Sequence, residues 1–396
     1  MEIIMIKDNK KITFICILIM VVFFLFQCNQ RTTQNTANVE KIQIDVHKIN
    51  KGYDLTAILD TIYYIIPLET NDDCLIGKID KLEVKNERIF VTDFMSKSVY
   101  EFDMNGKYLS KVSAFGQGPG EYASIMASTV TDSTIIIIDD MSRKQIEYSI
   151  NGKLISEKIM LDKVWANDLF LFGNTLYYVN SGGEPGLGKY YLFSSQRFSE
   201  KIEKFLSYNH EPVCLGINGP PYAINGDGFS LIYAGMDDIL GLLPDGTIGK
   251  KYSVDFMNNK VVYRSNDEKR VFFENTGEKI IGIDKIFETD KYLFLILPRL
   301  LEFDITCIYN KEDKTTILAE RCFTHQHFGH FCEINAVIEN KNQIVSWWQA
   351  ATFKSVYQDN WSKEDTQKKT FYERITEADK SIDEEDNPVL IIYNLK

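Results

Sequence analysis

The feature that most constrains the fold is an internal repeat with an offset of 46 residues. Asp93–Lys107 and Asp139–Lys153 are identical at seven of fifteen aligned positions. The identical pairs are Asp93/Asp139, Met95/Met141, Ser96/Ser142, Glu101/Glu147, Asn105/Asn151, Gly106/Gly152 and Lys107/Lys153. Repeats of this kind are supersecondary units that bury their apolar faces against one another. We therefore expect an array of similar units rather than unrelated domains.

Each unit has the pattern of a small antiparallel sheet. Continuous apolar runs at Ile89–Val91 and Ile135–Ile138 predict strands that are buried on both faces. The next strand of each unit alternates large apolar residues with glutamate, and an Asn-Gly pair then predicts a tight hairpin. Units of three or four strands that recur roughly every 45–60 residues are typical of propeller blades.

Four weaker copies of the unit follow, so the sequence predicts an all-β, six-bladed propeller. These copies open at Leu176–Val179, Phe229–Ala234, Tyr292–Leu297 and Gln343–Trp348. Ile62–Leu68 precedes the first unit and has no partner of its own. We expect it to pair with Val389–Leu395 in the last blade and so close the ring. The charged stretch Tyr357–Asn387 predicts a short helical insertion in that blade.

The amino terminus predicts export and attachment of a lipid. Three lysines precede Ile12–Phe26, a run of 15 residues without a charge. This run is short for a spanning helix but typical of a secretory signal. Leu25 lies three positions before Cys28, as in the bacterial lipobox, although the two residues between them are not the small ones usual there. An uncleaved anchor or an ordinary signal peptide is the alternative, and either would also place the body outside the cytoplasm.

We predict three segments: a lipoprotein signal peptide at 1–27, a tether at 28–50 and the propeller at 51–396. The net charge of −12 and the lack of a basic stripe argue against nucleic acid or anionic lipid as a partner. The expected membrane contact is therefore the lipid on Cys28 alone. No acidic run follows Cys28, which favours a protein of the bacterial cell envelope, on the outer membrane and facing the periplasm.

Three segments resemble a known family. They are IPLET (Ile66–Thr70), FGQGPGEY (Phe115–Tyr122) and EDNPVLIIYNLK (Glu385–Lys396). These segments are similar to bacterial six-bladed β-propeller lipoproteins, a group of domains of unknown function that is distantly related to NHL-type propellers. The resemblance covers nearly the whole mature chain and implies the fold, the six blades and the lipid anchor. It implies no ligand, cofactor or catalytic residue.

The loop FGQGPGEY contains the first candidate ligand contacts. The backbone amides of Gly118 and Gly120 could hold an anion or a sugar hydroxyl, with Glu121 and Tyr122 as side-chain contacts. The alternative is that the glycines let the chain turn between the first two blades.

Trp347 and Trp348 are candidates for stacking on a sugar ring. Adjacent residues of a strand face opposite sides of the sheet, so at most one of them is expected to meet a ligand.

His325, His327 and His330 are candidate zinc ligands, because residues at i and i+2 of a strand point the same way and neutral imidazoles bind zinc. Cys322 and Cys332 could add thiolates or form a disulfide across a hairpin. The alternative for the cysteines is a pair of separate buried thiols. No carboxylate lies beside the histidines in the sequence to orient them, so we predict no metal and no cofactor.

Three aspartate pairs could face the channel of the propeller, where carboxylates bind calcium or act as acid and base. They are Asp72-Asp73, Asp139-Asp140 and Asp237-Asp238. The alternative is that they cap turns.

No nucleophile elbow, Cys-x-x-Cys, His-Glu-x-x-His or Walker loop occurs in the sequence, so no enzyme class is indicated. We predict a binding or scaffold protein that recognises a glycan, a peptide or an envelope protein through one propeller face. The alternative is a propeller-type hydrolase or lyase that acts on saccharides or lactones through channel aspartates and histidines. A structural partner in an envelope assembly is a third possibility, and a broad apolar surface would favour it.

Overall fold

The computed structural model describes residues 39–160, 164, 166–180, 190–197, 199, 201–207, 219–233, 235–265, 271–274, 279–299, 302–324, 332–359, 378 and 380–396. Six sheets of four or five strands form the blades of a propeller around a central channel. The predicted six-bladed, all-β fold is confirmed. The compact body begins at Glu40 rather than at residue 51. Cys28 lies outside the described residues.

The first half of the ring comprises three opening strands and blades 1 to 3. Before the first blade the chain forms β1 (Glu40–Gln43), β2 (Tyr53–Asp54) and β3 (Leu59–Pro67), with 3-10 helices at Val46–Lys48 and Leu55–Ala57. Blade 1 contains β4 (Lys81–Lys85), β5 (Arg88–Asp93), β6 (Ser98–Asp103) and β7 (Tyr108–Val112). Blade 2 contains β8 (Ala127–Val130), β9 (Thr134–Asp139), β10 (Lys144–Ser149) and β11 (Leu154–Ile159). Blade 3 contains β12 (Asp168–Phe172), β13 (Thr175–Val179), β14 (Tyr190–Gln196) and β15 (Glu203–Ser207).

The second half of the ring repeats this order. Blade 4 contains β16 (Tyr222–Asn225), β17 (Gly228–Leu231), β18 (Asp238–Leu242) and β19 (Ile248–Asp255). A separate hairpin of β20 (Val262–Ser265) and β21 (Val271–Glu274) follows. Blade 5 contains β22 (Lys285–Glu288), β23 (Tyr292–Leu297), β24 (Ile305–Asn310) and β25 (Thr316–Ala319). The last strands are β26 (Cys322–Phe323), β27 (Ala336–Ile338), β28 (Gln343–Trp348) and β29 (Val389–Leu395).

Blade 6 closes the ring with strands from both ends of the chain, as predicted. Its order is β27, β28, β29 and β3, and the antiparallel pairing of β29 with β3 runs from Val389↔Pro67 to Leu395↔Leu59. The amino-terminal segment also adds a fifth strand to blade 4, because β1 pairs in parallel with β19. The amino-terminal strands are therefore hydrogen-bonded into blades 4 and 6, and β29 joins the two ends of the ring in one sheet.

Apolar residues fill the space between each blade and the next. The described residues form six buried clusters, and each contains residues of two neighbouring blades, including the pair formed by blades 6 and 1. In the latter cluster Ile89 and Val91 of blade 1, both 0% exposed, pack with Leu390 of blade 6. The continuous apolar runs of the sequence thus become strands covered on both faces.

The repeated aspartate of blades 1 and 2 ties two turns together. Asp93 Oδ1 accepts hydrogen bonds from the amides of Met95 and Ser96, at 2.9 and 3.1 Å, while its Oδ2 accepts from Gly77 at 2.9 Å. Asp139 makes the equivalent bonds one blade later. The identity of these positions between repeats follows from this shared structural role.

The α-helix α1 (Ala350–Asp359) lies between β28 and β29. It confirms a helical insertion in blade 6, although it begins before the predicted start at Tyr357. Phe353, which is 3% exposed, anchors it to the cluster between blades 5 and 6. Residues 360–377 and 379 of the predicted insertion lie outside the described residues. Within the part of the chain that the structure describes, no helix is long and apolar enough to cross a membrane.

The channel has two distinguishable faces. The first strands of the blades all begin at one face of the ring, which we call the upper face. The first residues of five of these strands are Lys81, Asp168, Tyr222, Lys285 and Ala336. Because the strands within a blade are antiparallel, the second strand of each blade ends at this same face.

Candidate functional site

The central channel contains a cavity of about 440 Å³. Its walls come from β4, β12, β16, β22 and β27 and the loops that precede them, with Phe94 after β5 and Trp347 of β28. This volume falls within the roughly 300–1,000 Å³ that is typical of small-ligand pockets. The charged residues of its lining are Asp80, Lys81, Glu83, Lys85, Asp168, Lys285, Glu288, Glu333 and Glu339.

Lys81 crosses the channel from blade 1 to blade 3. Its ammonium lies 2.5 Å from Asp168 Oδ1 and donates to the carbonyl oxygen of Ser128, in blade 2, at 2.7 Å. The same ammonium lies 5.3 Å from the centre of the Tyr222 ring in blade 4, within cation–π range. The side chains of Lys81 and Asp168 are each 13% exposed. A single lysine thus ties four blades together at the channel.

Two buried acids, Glu83 and Asp168, interact electrostatically with the Lys81 ammonium. Burial raises the pKa of Glu83 and of Asp168, and the Lys81 ammonium opposes that rise. Burial lowers the pKa of Lys81, but the two carboxylates outweigh it and shift that pKa upward, so the side chain stays charged. Glu83 Oε1 also accepts from the Thr129 hydroxyl at 3.1 Å and from the Val130 amide at 3.3 Å. All three charged groups therefore have partners inside the protein.

The charged residues at the far end of the cavity are paired as well. Lys85 forms an ion pair with Glu339, which joins blades 1 and 6. Glu288 is 2% exposed and accepts from Lys251 and Lys311, each at 3.1 Å. Burial raises the pKa of Glu288, but the two lysines lower it and the net shift is downward. The charged residues at this end therefore have ion-pair partners within the protein.

The upper end of the cavity differs, because two charged residues there have no partner among the described residues. Lys285 is the first residue of β22, and Glu333 lies three residues before β27. Lys285 is half-buried and Glu333 is exposed. Neither side chain forms a hydrogen bond or ion pair with any residue that the structure describes.

Gly219 gives the Lys285 side chain its space. A Cβ at position 219 would lie 2.2 Å from Lys285 Cγ and 2.8 Å from its Cε. The methylene stem of the lysine therefore lies directly against the backbone of the loop before β16. Any larger residue at position 219 would displace the stem.

Trp347 brings an aromatic ring to the same end. It is the next-to-last residue of β28, it is half-buried, and it lines the cavity. Its backbone amide donates to Asn335 Oδ1 at 3.0 Å, which links it to the segment that carries Glu333. The Trp347 side chain also packs against the apolar cluster between blades 6 and 1, whereas Trp348 packs against the cluster between blades 5 and 6. Of the two tryptophans, only Trp347 is in the cavity lining; ligand stacking by either ring stays a prediction.

The loop FGQGPGEY uses its polar groups internally. The Gly118 amide donates to Glu121 Oε2 at 2.8 Å, and the Gly120 amide donates to the Glu157 carboxylate. A Cβ at Gly116 would lie 2.0 Å from Glu121 Oε2, so the glycine leaves room for the carboxylate. The amides that the sequence offered to an anion are therefore already bound to carboxylates of the chain.

Tyr122 of the same loop is 0% exposed, and its hydroxyl donates to the Lys97 carbonyl oxygen at 2.7 Å. Burial raises the pKa of Tyr122 to about 12, so the hydroxyl keeps its proton. This geometry gives Gly118, Gly120, Glu121 and Tyr122 a structural role at the junction of blades 1 and 2. Ligand binding by this loop stays a prediction.

The three aspartate pairs do not line the cavity. Asp139 is 0% exposed and accepts the Ala123 amide at 2.7 Å and the Ser124 hydroxyl at 2.7 Å. Burial raises the pKa of Asp139, but these bonds and that from Ser142 lower it overall. Asp72-Asp73, Asp139-Asp140 and Asp237-Asp238 are absent from the cavity lining. Asp139 instead binds the amides of its turn, which is the turn-capping alternative.

His325, His327 and His330 lie outside the described residues. Among the residues that are described, no group of three or more metal-ligating side chains occurs. Cys322 and Cys332 are buried, free thiols, and the Cys332 amide donates to the Cys322 carbonyl oxygen at 2.8 Å. The two cysteines are neighbours in the structure without a disulfide.

Sequence reasoning missed Lys81, Glu83, Asp168, Lys285 and Glu333, since the six first strands were not predicted. These strands are short, and β4, β12 and β22 contain charged residues that line the channel, whereas the predictions relied on continuous apolar runs. A signal was available in Lys81–Lys85, whose sequence KLEVK alternates charged and apolar residues. That period of two is typical of a half-buried strand.

A family model for a domain of unknown function, DUF4934, matches residues 40–394. The chain belongs to this family. The match covers all six blades and confirms the resemblance to bacterial propellers of unknown function. No protein with a curated description matches the chain.

Several solved structures are similar to this chain. A Bacteroides fragilis protein, described provisionally as exported, is 15% identical with a TM-score of 0.68, over 90% of this chain and 99% of its own. A DUF4221 family member from Bacteroides vulgatus is 11% identical with a TM-score of 0.48, over 86% and 97%. Virginiamycin B lyase from Staphylococcus aureus is 9% identical with a TM-score of 0.43, over 84% and 99%. At 15% identity, the first likeness supports the propeller fold.

Proposed function

We propose that this protein binds a small polar ligand, or the end of a glycan or peptide, in the channel cavity at its upper face. One observation carries the proposal: Trp347, Lys285 and Glu333 line one cavity of about 440 Å³, and both charges lack a partner among the described residues. An aromatic ring offers a stacking surface, and a few polar groups fix the orientation of a bound ligand.

The binding experiment is a screen of glycans and short peptides by isothermal titration calorimetry against the wild type and Trp347→Ala. Loss of the ring should weaken binding by about tenfold, or roughly 1.4 kcal/mol. Phe303→Ala is the matched control, because Phe303 is 56% exposed and lies outside the cavity lining. Equal affinity of the wild type and Trp347→Ala for every ligand found would refute binding at this site.

We further propose that the protein is exported and anchored in the bacterial envelope by a lipid on Cys28, on the outer membrane and facing the periplasm. The apolar run Ile12–Phe26, and Leu25 three positions before Cys28, support this location. The provisional description of the Bacteroides fragilis neighbour as exported agrees with it.

Labelled palmitate supplied to cells tests the anchor. The wild type should incorporate the label and sediment with membranes, whereas Cys28→Ser should do neither. Labelling of Cys28→Ser at the wild-type level would contradict the proposal.

A hydrolase or lyase acting on saccharides or lactones is the second candidate. Its supporting observation is the buried group of Glu83, Asp168 and Lys81, since buried acids with raised pKa values often occur at catalytic centres. The satisfied contacts of these three residues favour the binding function. Turnover of a saccharide or lactone that Glu83→Gln abolishes, without a change in folding, would establish the enzyme instead.

A further inference from the structure

We propose that the ligand of the channel cavity carries both a positive and a negative charge, and that it is a free amino acid or a short peptide with unblocked ends. This inference rests on the proposed binding function and assigns its ligand class. The proposed contacts are Lys285 for the carboxylate, Glu333 for the ammonium and Trp347 for the body of the ligand.

The charges of the lining carry the inference. Six acids and three lysines line the cavity, and all but Lys285 and Glu333 are paired or hydrogen-bonded within the described structure. A purely anionic ligand would form an ion pair with Lys285, but Glu333 would repel the ligand. A cationic ligand would meet the reverse problem. A neutral ligand would displace water from both charges without replacing their interactions, which is costly. A zwitterion matches one group of each sign.

The two charges lie on neighbouring blades at one face. Lys285 begins the first strand of blade 5, and Glu333 precedes the first strand of blade 6. Trp347 belongs to blade 6 and is held through Asn335, two residues after Glu333. Glu333 and Trp347 line the same cavity, and an indole face attracts cations.

The Lys285 side chain is constrained in advance of binding. Its stem lies against Gly219, so it has fewer alternative conformations than an exposed lysine. Holding the ammonium in place reduces the entropy that binding would otherwise cost. A bulky residue at position 219 would remove this constraint and push the ammonium from its position.

The test is isothermal titration calorimetry of the purified protein with alanyl-phenylalanine and phenylalanyl-alanine, compared with their N-acetyl and C-terminal amide forms. The free dipeptides should bind at least about tenfold more tightly than either blocked form, because each blocking group removes one charge-assisted contact. Lys285→Met should lose the discrimination against the amide, and Glu333→Gln should lose the discrimination against the N-acetyl form. Lys48→Met and Glu312→Gln are the controls, since their wild-type side chains are 80% and 70% exposed.

Three other outcomes would overturn the inference. If free and blocked dipeptides bind equally, the charges do not select the ligand. If maltose or cellobiose binds in a manner that depends on Trp347 and the dipeptides do not bind, the proposed function stands and the ligand class is wrong. If neither the dipeptides nor the disaccharides bind the wild type, both proposals fail.

Discussion

Replacing Lys81 with methionine should strongly destabilise the propeller. The substitution keeps a long apolar side chain but removes the ammonium that lies 2.5 Å from Asp168 and 2.7 Å from the Ser128 carbonyl oxygen. Asp168 would then be a buried carboxylate without a counter-ion, beside a second buried acid, Glu83. Removing one partner of a buried pair costs about 3–5 kcal/mol. We expect about 3 kcal/mol, the lower end, because both side chains remain 13% exposed to water.

The free energy of unfolding can be measured by urea denaturation at neutral pH, followed by tryptophan fluorescence. Lys314→Met is the matched control, because Lys314 pairs with Glu40 at the surface, where the side chains are 54% and 30% exposed. An exposed pair of this kind contributes at most about 1 kcal/mol. The double variant Lys81→Met/Asp168→Asn should be more stable than Lys81→Met alone, since it carries no unpaired aspartate.

The pH dependence gives an independent check. Burial raises the pKa of Asp168 and Glu83, and loss of Lys81 removes the charge that opposes this rise. An acid whose folded-state pKa is raised contributes most stability below its unfolded pKa, and loses that contribution as the pH rises through the folded value. The deficit of Lys81→Met should therefore be smaller at pH 5 than at pH 8. A deficit no larger than that of Lys314→Met, or one that grows on acidification, would refute this reasoning.

Three further predictions concern the scaffold. Gly120→Ala should lose roughly 1–2 kcal/mol of stability, because φ at Gly120 is +70° and the new Cβ would lie 2.7 Å from Leu154 Cδ2. Gly282→Ala is the control in the same urea assay, since a Cβ at that position would have no neighbouring atom within 4 Å. Asp139→Asn should be less stable than the wild type at pH 7, because hydrogen bonds lower the pKa of Asp139 overall. The difference in the free energy of unfolding should shrink as the pH falls below the ordinary aspartate pKa of about 3.9. Unfolding curves at several pH values check this. Deleting residues 389–396 should abolish cooperative unfolding, since β29 pairs with both β28 and β3; a sharp transition in the truncated chain would contradict ring closure by β29.

The strands and hairpins of the blades could be predicted from the sequence, because they depend on residues that are close together in the chain. Ile135–Ile138 is an apolar run long enough for a strand covered on both faces, and all four residues are buried. Asn105-Gly106 marks a hairpin because Gly106 adopts φ of 82°. Ring closure could also be predicted, since each end of the chain contains a strand without a local partner, and the two strands can pair with each other.

The channel could not be predicted to the same extent, because its contacts join residues far apart in the chain. Lys81 and Asp168 are 87 residues apart, and nothing in either neighbourhood indicates the other. The lack of a described partner for Lys285 is likewise a property of the assembled ring. Conversely, Asp139-Asp140 was conspicuous in the sequence because it repeats Asp93, yet its role is to bind the amides of a turn.

Different charged residues of the cavity lining contribute to stability and to the proposed ligand binding. Ion pairs such as Lys85–Glu339 connect blades at the far end, and Lys81 connects four blades where the first strands begin. Only the upper end keeps unpaired charges among the residues described in the channel lining, Lys285 and Glu333. Substitutions at the paired residues should therefore change stability first, whereas those at Lys285 and Glu333 should change binding with little effect on unfolding. Trp347 also packs against the cluster between blades 6 and 1, so its loss should affect both.

The most direct measurement is a crystal structure of the protein with the tightest ligand from the calorimetric screen. We expect ligand density in the channel cavity at the upper face, against the Trp347 ring and within hydrogen-bond distance of Lys285 or Glu333. Density for the same ligand at another surface, with the cavity filled only by water, would contradict a ligand-binding function of the channel.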